Sequence, residues 1–499
     1  MARRSIQVMP RKMATERQGV RLVHLSVVLV PLCALACYFV IAPRTKEEAA
    51  VITAFMAWLQ RGGARAPKLR IAPSALGGLG AFATHAIAAG ELTISVPRQL
   101  MITDAEAPEA LLSNRAVTVA RGAMPELNSM LPVVIALLSE LSKGASSFYA
   151  PYLDTLPRDL DNPADFSSEL RAELKGSTLE AVLRRHEEVE LAASSAISTA
   201  CAEGPPQPPG RCESAFGHSK VRWAIATVRG RALLKELGDG GGLTLALAPL
   251  IDVLNHEAER GASAGSETWD DARSAYEVRS SRGFNAGEEV VWSYGPKPNH
   301  ALMISYGFAL PPGANPYESV VVNMKAARPQ SHDPLFEQRE SLLDAAAQHF
   351  GDARPGSPPR MIFTAGHTLE ERVPKPTLVR ARILVLREES ELRQDVLAGG
   401  ARRKLLAGEP LPSSRENDAL RFLAGLAKRK LELYVGDVAA DEALLAADDA
   451  GRAPLGRRMR MVVRTRLGEK RVLRDAIEAM DRRVDEIEQT SMLSGLGLK

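Results

Sequence analysis

Cysteine is scarce in this chain. Four occur among 499 residues, and no two are spaced as Cys-x-x-Cys. That excludes the common thiolate zinc site. Cys201 and Cys212 flank a proline-rich loop, where a disulfide and a pair of free thiols both fit and free thiols are the simpler reading. Charge of one sign is scarce as well: the formal net charge is +3, too small to argue for nucleic acid or acidic membranes. The glycine cluster Gly77-Gly78-Leu79-Gly80 lacks a following Lys-Ser/Thr, so it is no P-loop, and it lacks the strand-turn-helix setting of a dinucleotide fingerprint. The basic run from Arg457 to Arg474 lacks stacking aromatics, and Glu469, Asp475 and Glu478 interrupt or follow it. A nucleic-acid groove is thereby disfavoured. The run reads as a solvated helix face or as a surface for an acidic protein partner.

What is present suits a globular protein of two or three domains, with 45% apolar and 25% charged residues. The N-terminus stands apart. Residues 1–21 carry Arg3, Arg4, Arg11, Lys12, Arg17 and Arg21 against Glu16 alone, and Leu22 to Ala42 is apolar except for His24, Ser26 and Pro31. A helix of that length spans a bilayer core. Two readings fit: a retained signal anchor, or a targeting sequence cleaved near Ala34-Leu35-Ala36. The positive-inside rule would carry everything after an anchor across the membrane. The small-residue Ala34-Leu35-Ala36 site leans toward the second reading, import into an organelle such as a plastid. Residues 1–44 therefore form a segment outside the fold.

Periodicity organises the remainder. Residues 46–60 place Val51, Phe55, Trp58 and Leu59 on one helical face, stopped by Gly62-Gly63. Leu69-Arg70-Ile71 and the alternating Leu92, Ile94 and Val96 read as strands. A helical stretch follows from about 105 to 235, including Leu131 to Leu141 and Leu179 to Ser195. Strand signals return at Tyr276-Glu277-Val278 and Val290-Val291-Trp292. Beyond Pro316 the pattern is helical to the end. Ser413-x-x-Glu416 there matches a capping box, and Leu420, Leu423, Ala427, Leu431 and Tyr434 share a face. The expected fold class is α+β: a β-rich domain over 46–310 split by a helical insertion, then an all-α domain over 320–499 with its own core, separable as a docking unit.

The residues that carry chemistry are weak evidence one at a time. Asp252, Asn255 and His256 end an apolar run, Trp292-Ser293-Tyr294-Gly295 ends a strand, and Ser305-Tyr306-Gly307-Phe308 ends a helix at Gly307. Their order says more: Gly-x-Gly, then Asn-His about 175 residues on, then Tyr-Gly about 40 further. Together with Leu79-Gly80-Ala81-Phe82, Tyr152-Leu153, Leu156-Pro157 and Arg222-Trp223-Ala224, this resembles the SET domain. In particular it resembles the class of the Rubisco large-subunit lysine methyltransferase and the actin-histidine methyltransferase. Residues 416–434, 441–445 and 463–471 resemble that class's substrate-binding domain.

The resemblance implies an S-adenosylmethionine-dependent protein N-methyltransferase acting on lysine, less readily on histidine, without a metal. It implies a monomer that docks its protein substrate on the helical tail; a membrane would be touched only through residues 22–42, if they are not cleaved. It assigns Tyr294 as the catalytic tyrosine, and Gly78, Leu79, Gly80, Arg231, Asn255, His256, Tyr294 and Tyr306 to the cofactor. Arg231, Asp252 and Tyr306 are assigned to the substrate. The sequence departs from the class at Gly77, where relatives often carry Glu, and at Trp292, where Phe or an aliphatic residue is more usual. A non-catalytic, membrane-tethered protein on a decayed SET scaffold is the alternative, against which the intact Asn255-His256, Tyr294 and Tyr306 argue.

Overall fold

The structure, a computed structural model, describes residues 45–203, 211–238, 242–258, 266–323, 335–351, 360–387, 400 and 402–495. The apolar run 22–42 and its readings lie outside them. Among the described residues no helix is long and apolar enough to cross a membrane.

The chain enters through α1 (Lys46–Arg61), whose first turn is capped by the Thr45 hydroxyl accepting from Glu48 N at 3.1 Å. Its apolar face buries Phe55, Trp58 and Leu59, as the spacing predicts. Then come β1 (Leu69–Pro73), β2 (Leu79–Ala83) and β3 (Leu92–Pro97). The helical insertion contains α2 (Pro125–Ser142), α3 (Thr178–Glu203) and α4 (His218–Arg231). Proline stands in the first turn of α2, where no backbone N–H is needed. The helix is buried on every face, by Leu127, Leu131, Val134, Ile135 and Leu138 among others, and forms the centre of the main core.

After α4 the chain pairs β4 (Ala232–Glu236) with β5 (Leu243–Leu247), then runs through β6 (Asn255–His256), β7 (Glu267–Asp270), β8 (Ala275–Arg279) and β9 (Glu289–Trp292). The sheets are small. One has the order β1-β2-β9-β6 and another β3-β8-β7. The β6–β9 pair is parallel, with Asn255 opposite Val291 and His256 opposite Trp292. This pairing threads the Asn-His segment alongside the strand that leads to Tyr294. α5 (Asn299–Tyr306) closes the region and stops at Gly307, whose φ of 72° is left-handed, as the sequence predicts.

The C-terminal region is helical. It is built on α6 (Lys375–Val385), α7 (Ser413–Leu431), α8 (Val438–Asp449) and the 39-residue α9 (Arg457–Gly495). The all-α expectation needs one amendment. β10 (Ser319–Asn323) and β11 (Arg360–Thr364) form an antiparallel ladder, and Val320, Met361 and Phe363 bury against α7 and α9.

Four other expectations are corrected. Ser413 is not a cap: Pro412 holds the N-cap position of α7. Glu416 instead faces inward and takes both ends of the buried Arg382 guanidinium, at 2.9 and 2.6 Å. The basic run of α9 is a solvated face only in part: Arg457 and Arg474 are exposed. Arg466 and Lys470 are buried, and Asp441 accepts from both, at 2.7 Å in each pairing. The tail has its own core around Phe363, Leu420, Leu423 and Met480, but it does not stand on that core alone. Met461 and Val462 of α9 pack in one cluster with Phe166, Leu179, Met303 and Ile304. In addition, the Glu469 carboxylate accepts from Thr178 N at 2.9 Å, capping α3 from 291 residues away. Finally, Cys201 is disulfide-bonded rather than free. The short helix Arg211–Phe216 folds back against α3 there.

Candidate active site

A cavity of about 350 Å³ opens where the β1–β2 turn, the insertion, the Asp252 turn and the end of α5 meet. Gly78, Leu79, Arg231, Asp252, Asn255, Tyr294 and Tyr306 all line it. Gly80 and His256 are not among its lining residues.

The β1–β2 turn supplies one wall. Gly77 (φ 121°) and Gly78 (φ 61°) take backbone conformations that side chains resist, and Ser74 N donates to Gly78 O at 2.9 Å to close the turn. A Cβ on Gly78 would meet nothing within 4 Å, so its backbone faces open space. Gly80 has a different reason to be glycine. Buried in β2, it clears room for the Glu289 carboxylate, which a Cβ would strike. Glu289 ties the wall together: Ser74 Oγ donates to it at 2.8 Å and Asn255 Nδ2 at 2.7 Å, and the same Asn255 nitrogen donates to Leu79 O at 3.1 Å. The Asn255 amide nitrogen is therefore spent on holding the glycine turn, and its carbonyl oxygen is the part left for a ligand.

The floor is polar and buried. Leu250, at φ 76°, bends the chain sharply into the turn Ile251–Val253 and brings Asp252 inward. The carboxylate is fully buried. Tyr152 donates to its Oδ2 at 2.8 Å, and Arg231 donates to the Asp252 carbonyl at 2.9 Å and to Oδ2 at 3.4 Å. Oδ1 has no partner. Burial raises the Asp252 pKa, and the Arg231 charge opposes the rise.

The opposite wall is aromatic. Tyr294 and Tyr306 stack with ring centroids 4.4 Å apart, and Phe308 lies 6.4 Å from Tyr294. The Tyr294 hydroxyl donates to Leu254 O at 2.8 Å. Burial pushes its pKa upward and raises that of Tyr306 to about 12, so both hydroxyls keep their protons at neutral pH. His256 stands behind this wall. Its ring stacks on Tyr294 at 5.0 Å, and its Nδ1 accepts from Tyr294 N at 3.1 Å. Burial lowers its pKa, which suits the neutral acceptor. The structure thus places His256 against Tyr294, outside the residues that line the cavity.

Sequence reasoning missed three contributors. Glu289 opens a strand with no motif around it. Tyr152 belongs to a recognised phrase, but nothing in that phrase announces that it holds Asp252. Arg457 lines the cavity from α9, more than 150 residues beyond Tyr294, with no local signal. Among the described residues no group of three or more His, Cys, Asp or Glu side chains is arranged to hold a metal ion.

Comparison with known proteins agrees with this geometry. Residues 78–295 match the SET domain model, and residues 330–473 match the Rubisco LSMT substrate-binding model. The actin-histidine N-methyltransferase of Gallus gallus is 26% identical over 429 residues, covering 85% of this chain and 67% of the relative. That of Homo sapiens is 26% identical over 431 residues, with the same coverage. The solved structure of the LSMT SET domain bound to lysine and AdoHcy superposes with a TM-score of 0.67 at 20% identity, covering 90% of this chain and 96% of that one. Rubisco LSMT bound to AdoMet gives 0.65 at 22% identity, with the same coverage.

Proposed function

Because the chain belongs to the SET-domain methyltransferases that carry a Rubisco LSMT substrate-binding domain, we propose that it transfers a methyl group from S-adenosylmethionine to a lysine side chain of a protein. The observation that carries this reading is the convergence, in one cavity, of an open glycine turn, an aromatic pair and a buried carboxylate with a free oxygen. The residues fit the cofactor. The Gly78-Leu79 backbone offers close approach to a methionyl chain. The Asn255 carbonyl oxygen suits an amino group, and the stacked tyrosines suit a cation beside their faces. When bound, that cofactor supplies an electrophilic methyl group on a sulfonium.

The chain's own residues do the rest. A free lysine has a pKa near ~10.4, so deprotonating it at neutral pH costs about 4–5 kcal/mol. The dry wall of Tyr294 and Tyr306 favours the neutral amine by desolvation. Tyr294 acts as an orienting group. Its proton is given to Leu254 O, so its hydroxyl oxygen presents lone pairs to an incoming N–H. Asp252, held by Arg231 and Tyr152, is a fixed charge beneath the floor. Positioning for an in-line displacement then supplies the main acceleration.

Lysine is the favoured acceptor because an amine or ammonium carries several N–H donors, so that Tyr294 can hold one while the lone pair is aimed at the methyl group. A neutral imidazole has a single donor. The named activity of the curated relatives favours histidine, and that is the second reading. Residues 45–499 incubated with a host lysate and isotopically labelled S-adenosylmethionine should label protein on lysine, read by mass spectrometry. Label on histidine would select the second reading, and no label from a folded protein would defeat both. The substrate is read as docking on the helical C-terminal region, and the enzyme as acting alone. The N-terminal segment is read as a targeting sequence that places the mature protein, beginning after residue 36, in an organelle such as a plastid. The supports for that placement are the Ala34-Leu35-Ala36 site and the topological difficulty of an anchored enzyme.

A further inference from the structure

We propose that Arg457, delivered by the first turn of the C-terminal helix α9, is a cofactor-binding residue whose guanidinium receives the methionyl carboxylate of S-adenosylmethionine at the Gly77-Gly78 turn. The inference rests on the reading of the cavity as the cofactor site.

Arg457 lines the 350 Å³ cavity and also an adjoining one of about 720 Å³, and the two share the Gly77–Leu79 wall. Its Nη2 lies 3.7 Å from the point where a Gly77 side chain would begin, and no other atom comes within 4 Å of that point. The guanidinium therefore stands beside a bare backbone turn, at contact distance from where a side chain would begin. Its other edge is fixed, because Nε pairs with Asp161 Oδ2 at 3.0 Å. Asp161 is itself held from the far side by Arg458 Nε at 2.8 Å. So Arg457 is anchored through Nε, with its Nη2 beside the Gly77 turn.

The charge inventory selects the ligand group. The cavity's other arginine, Arg231, is tied through Nη1 to the carbonyl and carboxylate of Asp252. The cofactor carries a sulfonium, an ammonium and one carboxylate, and only the carboxylate matches a planar two-donor edge. Asp159 and Asp161 offset Arg457 and Arg458 in sum. The attraction is accordingly local to the Nη edge and does not depend on a broad positive field. One consequence follows for the fold: the tail domain would complete the cofactor site and not only recruit substrate.

The test is a pair of calorimetric titrations on the full chain, wild type against Arg457→Gln and Arg457→Lys, with S-adenosylmethionine and with its decarboxylated analogue. Arg457 is exposed enough for both variants to fold. The expected result is that Arg457→Gln weakens S-adenosylmethionine by about tenfold or more, the scale of one charge-assisted contact. It should leave the decarboxylated analogue within about twofold, and Arg457→Lys should recover part of the loss. Equal weakening of both ligands would mean a merely structural role and would overturn the inference, as would no weakening of either. If the wild type binds neither ligand, the assignment of the cavity fails first and the inference falls with it, a result distinct from wild-type binding with an indifferent variant.

Discussion

Glu318 gives the sharpest test of how the two regions are joined. It precedes β10, is 4% exposed, and accepts from Asn299 N at 3.1 Å. The neighbouring Glu469 carboxylate is also buried, taking Thr178 N and the Tyr434 hydroxyl. Desolvation and then repulsion from Glu469 raise the Glu318 pKa from an ordinary 4.5 to about 8. A carboxyl that holds its proton more tightly folded than unfolded stabilises the protein below its unfolded pKa, and that contribution is lost as pH rises through the folded value. A tenfold change in proton affinity is about 1.4 kcal/mol, so charging Glu318 well above pH 8 costs on the order of 4–5 kcal/mol. Glu318→Gln keeps an acceptor for Asn299 N and removes the charge. Urea unfolding of both proteins at about pH 5 and pH 8.5 should find them nearly equal at the lower pH and the variant more stable by several kcal/mol at the higher. Groups remote from Glu318 titrate in both proteins alike and cancel in the difference. A gap that is the same at both pH values, or wild type gaining on the variant as pH rises, would refute the argument.

Other perturbations probe the site and its support. Tyr294→Phe should lower turnover by about tenfold or more, with cofactor affinity nearly intact, because the hydroxyl serves the acceptor nitrogen. Unchanged methyl transfer from labelled cofactor would remove it from the mechanism. Asn255→Ala strips the bonds to Glu289 and Leu79 that hold the glycine turn. It should weaken cofactor binding by about 1–3 kcal/mol, and wild-type affinity in a variant with an unchanged circular dichroism spectrum would contradict that placement. Deleting residues 320–499 should leave a protein that aggregates and binds no cofactor, since Met461, Val462 and Glu469 are part of the other region's core and cap. A soluble fragment that still binds in calorimetry would show the tail to be separable after all. In its native cell the protein should be released by carbonate extraction and begin after residue 36. Full-length chain in the membrane pellet would establish an anchor instead.

The pattern of what the sequence revealed has a physical logic. Features determined within a few residues were legible: the amphipathic face of α1, the Gly307 helix stop, and the short strands around Tyr276 and Val290. Motif order also located most of the cavity wall, because Gly78, Asn255, Tyr294 and Tyr306 sit at element ends that local turns fix. β10 was missed although Val320, Val321 and Val322 form a β-branched run. It is a short strand that only its pairing with β11 stabilises, and that partner lies about 40 residues on within a helical pattern.

Charge was the least legible property, because a charge reads as solvated unless its partner is known, and partners here are remote in sequence. Arg466 pairs with Asp441, Lys470 with Asp441, and Arg382 with Glu416. Glu469 takes Thr178 N across 291 residues. Each is a buried ion or hydrogen bond whose loss on one side leaves a desolvated charge on the other, the arrangement most costly to break. Several of them lie on α9, and α9 also carries Arg457 to the cavity mouth. The helix that looked from its sequence like a solvated basic face is therefore the element on which the attachment of the tail and the shape of the active site both depend. A substitution along it should alter stability and cofactor affinity together, where one in α7, whose buried face meets only the tail's own core, should alter stability alone.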